Sequence, residues 1–501
     1  MRRRIPATMA TQHPDNASAP YWKKDRNAFV STRDETEECY SAFRDLDCQE
    51  FMWDWEGKYV DEAIIDRLFS TYLSFFKTHQ LGKDKFLTFR IPNIWHERGY
   101  SLARAMMGIL TAESFARDLQ IHTPPLFEVI LPMTNSAEDL LHIQTTFEKL
   151  AKFEQGLFGD TAHSGYLNVL PLFEGIDDLI NSRKLLRRYV VLHKRHFRKK
   201  PDYLRLHIAR SDPALNSGLV AAVIAGKIAL SEFSRFSSEE HIPVYPAIGV
   251  GTLPFRGSLS PERIENFMRE YPGMRTVYVQ SAFRYDFPLP LVKKAIRILN
   301  ERLQRTRPLR YRDSEVEEAA ALCALFSAPY RKTVEGLAHL LNRLSSQVPA
   351  RRERKLHTGL FGYSRSIGKK RLPRAIPFTA VLYTLGVPPE FIGTGRGLAA
   401  AARASIDTEK YYTNLRPDLE CAGKYLNKEN LHQLARANRF WKAIEKDVLL
   451  AEAYLGIEFG PKTRSELAHA KISAKAYHRF RKGKTIGEAI AASGRLRKSL
   501  G

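Results

Sequence analysis

Short apolar runs alternating with helical stretches constrain the fold of this chain more than any other feature. The runs fall at 50–57, 85–92, 126–132, 166–174, 203–212, 243–249 and 275–281, and the segments between them are long enough to cross back as helices. A strand, a helix and a second parallel strand form a right-handed βαβ unit, which brings the carboxyl ends of neighbouring strands to the same side. With an eighth strand expected at 388–395, the pattern predicts an α/β protein, a (β/α)8 (TIM) barrel with extra helical segments in its C-terminal half. Residues 5–16 contain two prolines and several turn formers without a helical period, and read as a loop. The whole chain, 1–501, reads as one barrel domain. It carries a helical and basic-loop insertion at 289–385 and a helical C-terminal segment at 397–501 that ends in a polar, basic tail.

Composition narrows the function. With 44% hydrophobic residues the chain can bury a large core, yet no apolar run reaches the eighteen uncharged residues of a membrane span. The basic opening, Met1-Arg-Arg-Arg-Ile-Pro, is followed by no apolar stretch of a secretory signal, so a cytoplasmic protein is expected. Cys39, Cys48, Cys323 and Cys421 are scattered without a CxxC pair, which suggests neither a disulfide framework nor a zinc site. The net charge of +23 is compatible with nucleic acid, with the steering of small anions, or with a basic proteome.

The strongest chemical signal is the pair of strands at 166–174 and 203–212, each ending in a carboxylate. Glu174 and Asp212 would open into one mouth, where two hard oxygen ligands suit magnesium or manganese. Helix capping at a strand-to-helix turn is the alternative for both, and Ser211-Asp212-Pro213 is a good cap signature. Glu56 and Gln280 sit at further strand ends. Arg90 lies at the C-terminal end of the run at 85–92, and a glycine-rich loop from Val250 to Ser258 carries Arg256 before a helix, a place where backbone N–H groups can meet an anion. Arg284 follows the strand at 275–281. A basic segment at 359–377, holding Arg365, Arg371 and Arg374, could close on an anion or touch nucleic acid. His13 lies in the leading loop, where a solvated side chain is the plain reading.

Taken in order, these features resemble the phosphoenolpyruvate carboxylase family, specifically its compact archaeal-type branch. Ala10-Thr-Gln-His13-Pro-Asp-Asn16 is similar to the motif that carries the family's catalytic histidine. Phe89-Arg90-Ile91, Pro171-Leu-Phe-Glu174, Ser211-Asp212, the loop from Gly249 to Gly257, and Arg374-Ala-Ile-Pro377 follow in the family's order. There are departures. Leu215 stands where the larger enzymes have a lysine, Val250 where they have a second loop arginine, and the tail at 495–501 does not resemble the one that helps form their inhibitor site.

The resemblance implies conversion of phosphoenolpyruvate and bicarbonate to oxaloacetate and phosphate, through carboxyphosphate and a metal-stabilised enolate of pyruvate. It implies His13, Arg90 and Arg256 as catalytic residues, with Arg284, Arg365 and Arg374 as substrate-binding residues. It also implies Mg2+ or Mn2+ on Glu174 and Asp212, and a homotetramer. Two other readings stand beside it: a metal-dependent aldolase or lyase working through a pyruvate-type enolate, and a basic nucleic-acid-binding protein.

Overall fold

The computed structural model describes residues 4–56, 60–96, 100–159, 165–353, 366–368 and 370–501. Eight strands are arranged in it as β1 (Thr8–Thr11), β2 (Glu50–Asp54), β3 (Phe86–Arg90), β4 (Glu128–Leu131), β5 (Asn168–Phe173), β6 (Leu204–Ala209), β7 (Val244–Gly249) and β8 (Thr276–Val279). They pair in sequence order and close, with every pairing parallel. Helices return the chain between them, from Glu35–Arg44 after β1 to Leu289–Arg302 after β8. The 33-residue helix Asp313–Ser345 packs on Leu219–Glu240, and the helices from Ala375–Thr384 onward cover that side of the barrel. Among the described residues no single helix is long and apolar enough to cross a membrane.

The expected (β/α)8 barrel is present, with one strand in a different place from the one expected. Residues 388–395 are not a strand; they form the 3-10 turn Pro389–Phe391 and the start of the helix Thr394–Arg403. Two successive prolines lack the N–H groups a ladder needs, and proline is well suited to the first turn of a helical segment. The missing strand is β1, inside the stretch read as a loop. It pairs Met9 with Glu50 on one side and Thr8 with Val277 on the other. All of Thr8–Thr11 is buried. A four-residue strand covered on both faces has no alternation by which to recognise it.

The barrel interior is stacked in layers. At the amino-terminal end Glu50, Glu128, Arg205 and Thr276 meet, one from each even-numbered strand. The Arg205 Nη1 donates to Glu50 (2.9 Å) and Glu128 (2.7 Å), and its Nη2 to Glu50 (2.7 Å) and Thr276 (3.2 Å). Burial works against the Arg205 charge, but Glu50 and Glu128 more than offset it and hold the guanidinium above its ordinary value. An apolar layer of Met9, Met52, Ile130, Leu170, Leu172, Ala209 and Tyr278 lies above. Arg205→Met would leave two buried carboxylates without their cation. The expected loss is about 3–5 kcal/mol of stability at neutral pH, read as a lower urea midpoint that partly recovers in acid.

Candidate active site

Above the apolar layer, at the carboxyl ends of the strands, is a cavity of about 410 Å³. His13, Arg90, Asp212, Arg256 and Arg374 all line it, together with Glu56.

His13 follows β1 by two residues, and its Nδ1 is 2.9 Å from the Thr11 hydroxyl, which fixes the ring. Tyr278 of β8 lies nearby, with its ring centroid 6.4 Å from that of His13. Its hydroxyl is 2.6 Å from the His207 Nδ1. Burial holds His207 far below the ordinary histidine range.

Arg90 is the last residue of β3 and stands in register with Asp54, the last of β2. Its Nε and Nη2 make a bidentate pair with Asp54 at 2.9 and 2.7 Å, and its Nη1 lies 2.8 Å from Glu56. Burial opposes the charge, but Asp54, Glu56 and Glu174 together push Arg90 well above the ordinary value. It is therefore a fixed cation.

Glu174 follows β5 directly, and Asp212 is the second residue of the helix Ser211–Ser217 that follows β6. The two strands are paired through Phe173 and Ile208. Both carboxylates are half-buried. The charge of Glu174 acts on Arg90 and Tyr278, that of Asp212 on Arg256. The N-cap of the Asp212 helix is Arg210, which makes no side-chain cap bond. Two hard oxygen donors at adjacent strand ends fit magnesium or manganese. Among the described residues no group of three or more His, Cys, Asp or Glu stands at metal-holding distance, so other ligands would have to come from substrate and water.

Arg256 is a hub. It is 1% exposed, and each of its nitrogens is engaged. Nε donates to the Ser211 hydroxyl (3.1 Å), Nη1 to Asp15 (3.0 Å) and the Gly501 backbone oxygen (2.7 Å), and Nη2 to Gln280 (2.7 Å). It thus ties the glycine-rich loop to the His13 segment, to the Asp212 helix and to the end of β8. Glu56 and Gln280, singled out as strand-end residues, are the partners of Arg90 and Arg256.

Arg284 departs from expectation. It does not line the cavity; it is 1% exposed and donates to the Thr11 carbonyl (2.7 Å) and to Glu38 (2.9 Å). The helix Ser281–Tyr285 turns it under β1, where Glu38 offers a buried counter-charge. Arg374 meets the cavity as the N-cap of the helix Ala375–Thr384. Arg365 lies outside the described residues. Leu215 and Val250 are buried, the former beneath Tyr330, whose hydroxyl donates to the Leu215 carbonyl (2.8 Å).

Several supports carried no sequence signal. The tail read as polar ends in buried Ser499, Leu500 and Gly501; the Leu500 N–H donates to the Asp15 carbonyl (2.7 Å), and Leu500 lines the cavity. Asp286 accepts from the Ala17 and Ser18 N–H groups at 2.7 and 2.6 Å, anchoring the chain just beyond His13. Glu390, in the segment read as the eighth strand, accepts from the Phe255 N–H (2.8 Å) and the Tyr383 hydroxyl (2.6 Å), anchoring the loop of Arg256. Burial pushes both carboxyls up to about 7.

Between the ordinary carboxylate range and about pH 7 the folded state keeps protons at Asp286 and Glu390 that the unfolded chain has released. Stability is therefore lost as pH rises through that window. For Glu390 the contribution is on the order of 3 kcal/mol. The thermal midpoint is expected to fall between pH 5 and pH 7.5, and Glu390→Gln to flatten part of that slope.

A closed parallel barrel whose charged side chains converge at the carboxyl ends of its strands defines the class: a (β/α)8-barrel enzyme with its site where such enzymes keep their chemistry. A sequence model of the family described as phosphoenolpyruvate carboxylase matches residues 5–501. The phosphoenolpyruvate carboxylase of Leuconostoc mesenteroides is 41% identical over 473 residues, covering 94% of this chain and 94% of the relative. That of Metallosphaera sedula is 38% identical over 489 residues, with the same coverage of 94% on both sides. That of Pyrococcus horikoshii is 36% identical over 468 residues, covering 90% of this chain and 96% of the relative. The chain belongs to the phosphoenolpyruvate carboxylase family, whose members are carboxy-lyases.

Proposed function

We propose that this chain joins phosphoenolpyruvate and bicarbonate to form oxaloacetate and phosphate. The observation that carries the reading is the convergence of His13, Arg90, Asp212, Arg256 and Arg374, from distant parts of the sequence, on one cavity of a family member.

Phosphoenolpyruvate is a multiply charged anion and bicarbonate a weak nucleophile, so the protein must neutralise charge and hold the two in line. Arg90, locked by Asp54 and Glu56, offers a cation that needs no reorganisation at the moment of transfer. Arg374, at the head of its helix, adds a planar fork suited to phosphate. Arg256 positions Ser211, and with it Asp212, rather than clamping the phosphoryl group with free donors. Attack of a bicarbonate oxygen on phosphorus breaks the bond to the enol oxygen, giving carboxyphosphate and the enolate of pyruvate. Glu174 and Asp212 would hold a magnesium or manganese ion, which when bound supplies Lewis acidity to the negative charge developing in this step.

Carboxyphosphate then splits into carbon dioxide and phosphate. His13, held by Thr11, accepts the carboxyl proton as the carbon–oxygen bond breaks. The enolate carbon attacks carbon dioxide to form oxaloacetate, and the walls around His13 keep water from protonating it first. The test is oxaloacetate formation coupled to malate dehydrogenase, with bicarbonate and magnesium omitted in turn. Dependence on both supports the reading; oxaloacetate formed at full rate without bicarbonate overturns it.

A further inference from the structure

Five arginines line the cavity, and their engagement differs. Arg90 holds Asp54 and Glu56, Arg256 holds Asp15, and Arg352 holds Glu35 (3.0 Å) and Glu38 (2.8 and 2.7 Å). Arg351 differs from these three. Its Nε donates to the Asn16 carbonyl (3.0 Å), and among the described residues no carboxylate pairs with it and neither Nη makes a hydrogen bond. It is half-buried, and burial holds it below the ordinary arginine value. Asp286 acts on it in the opposite direction, but the Asp286 oxygens accept from Ala17 and Ser18, while Arg495 adds a charge of like sign.

The position of Arg351 is fixed by backbone as well as side chain. The Val30 N–H donates to the Arg351 carbonyl (2.9 Å), and the Nε bond to Asn16 places the guanidinium beside the segment that carries His13. A planar fork held by its inner nitrogen, with both outer nitrogens unengaged at a cavity wall, matches the two oxygens of a carboxylate.

We propose that Arg351 is a substrate-binding residue that takes a carboxylate-type oxyanion of the reaction, either bicarbonate or the carboxylate end of phosphoenolpyruvate. This rests on the reaction assigned above and names a binding contact within it.

Arg351→Lys and Arg351→Gln test it, with each substrate varied at saturation of the other. A charge-assisted contact of this kind predicts a rise in one KM of about tenfold or more, with kcat changed less than about threefold. A rise for phosphoenolpyruvate assigns its carboxylate, and a rise for bicarbonate assigns bicarbonate. Both KM values within twofold of wild type would overturn the proposal. So would a fall in kcat with both unchanged, which would mark Arg351 as only a tether for Asn16. If the wild-type protein made no oxaloacetate, the reaction reading would fail by itself. Calorimetric binding of phosphoenolpyruvate to wild type and Arg351→Gln would then decide the site: tenfold weaker binding in the variant upholds it, equal binding overturns it.

Discussion

Asp212→Asn is expected to lower oxaloacetate formation on the order of 10²–10³-fold or more, while leaving the fold intact. The substitution keeps the size of the side chain and removes its charge. Asp212 is half-buried at the head of a short helix. In the proposed reading its charge has two tasks at that place: it would be one of two hard oxygen donors to the metal, and it favours the charged form of Arg256. The same variant should bind Mn2+ more weakly, measured by electron paramagnetic resonance on protein without substrate. Wild-type Mn2+ affinity with lost activity would move Asp212 from ligand to electrostatic partner of Arg256. Full activity would remove it from the site altogether.

His13→Asn should separate two halves of the reaction. The arginines of the cavity are untouched by the change, so phosphoryl transfer from phosphoenolpyruvate continues. Without an acceptor for the proton and without the ring that closes the wall, the enolate is quenched by water and pyruvate leaves in place of oxaloacetate. A loss of carboxylation of about 10²–10⁴-fold, with phosphate still released, is the expected result. It is read as the ratio of pyruvate to oxaloacetate by coupling to lactate and malate dehydrogenases in parallel. Oxaloacetate at the normal rate would end the role of His13.

Much of this site was legible because strand ends are local features. In a parallel barrel the carboxyl end of every strand is delivered to the same side, so Arg90 at the end of β3, and Glu174 and Asp212 just beyond β5 and β6, could be assigned to that side from the apolar runs before them, and Arg90 and Asp212 line the cavity. The strand at Thr8–Thr11 could not be assigned in this way, because its partners are residues 50–52 of β2 and 277–279 of β8, far away in the chain. Residues 388–395 had the apolar look of a strand but carry Glu390, whose work is to hold the Phe255 N–H. The closing tail has a polar, basic composition, yet its last residues fold back on Asp15 and Arg256 through contacts that no local pattern encodes.

The sequence by itself determined the barrel, the order of its later strands and the set of chemical side chains at their ends. Those follow from backbone hydrogen bonding and side-chain alternation, which act over a few residues. Only the tertiary structure decided what each arginine does. Arg284 is bound by Glu38, Arg256 by Asp15, Gln280 and the Gly501 backbone, and Arg90 by Asp54 and Glu56. Arg351, adjacent in sequence to Arg352 with its pairs to Glu35 and Glu38, lines the cavity with only its Nε hydrogen-bonded among the described residues. Whether a guanidinium is spent on the fold or kept for a substrate depends on which carboxylate lies within a few ångströms once water is excluded, and that distance exists only after the chain has folded.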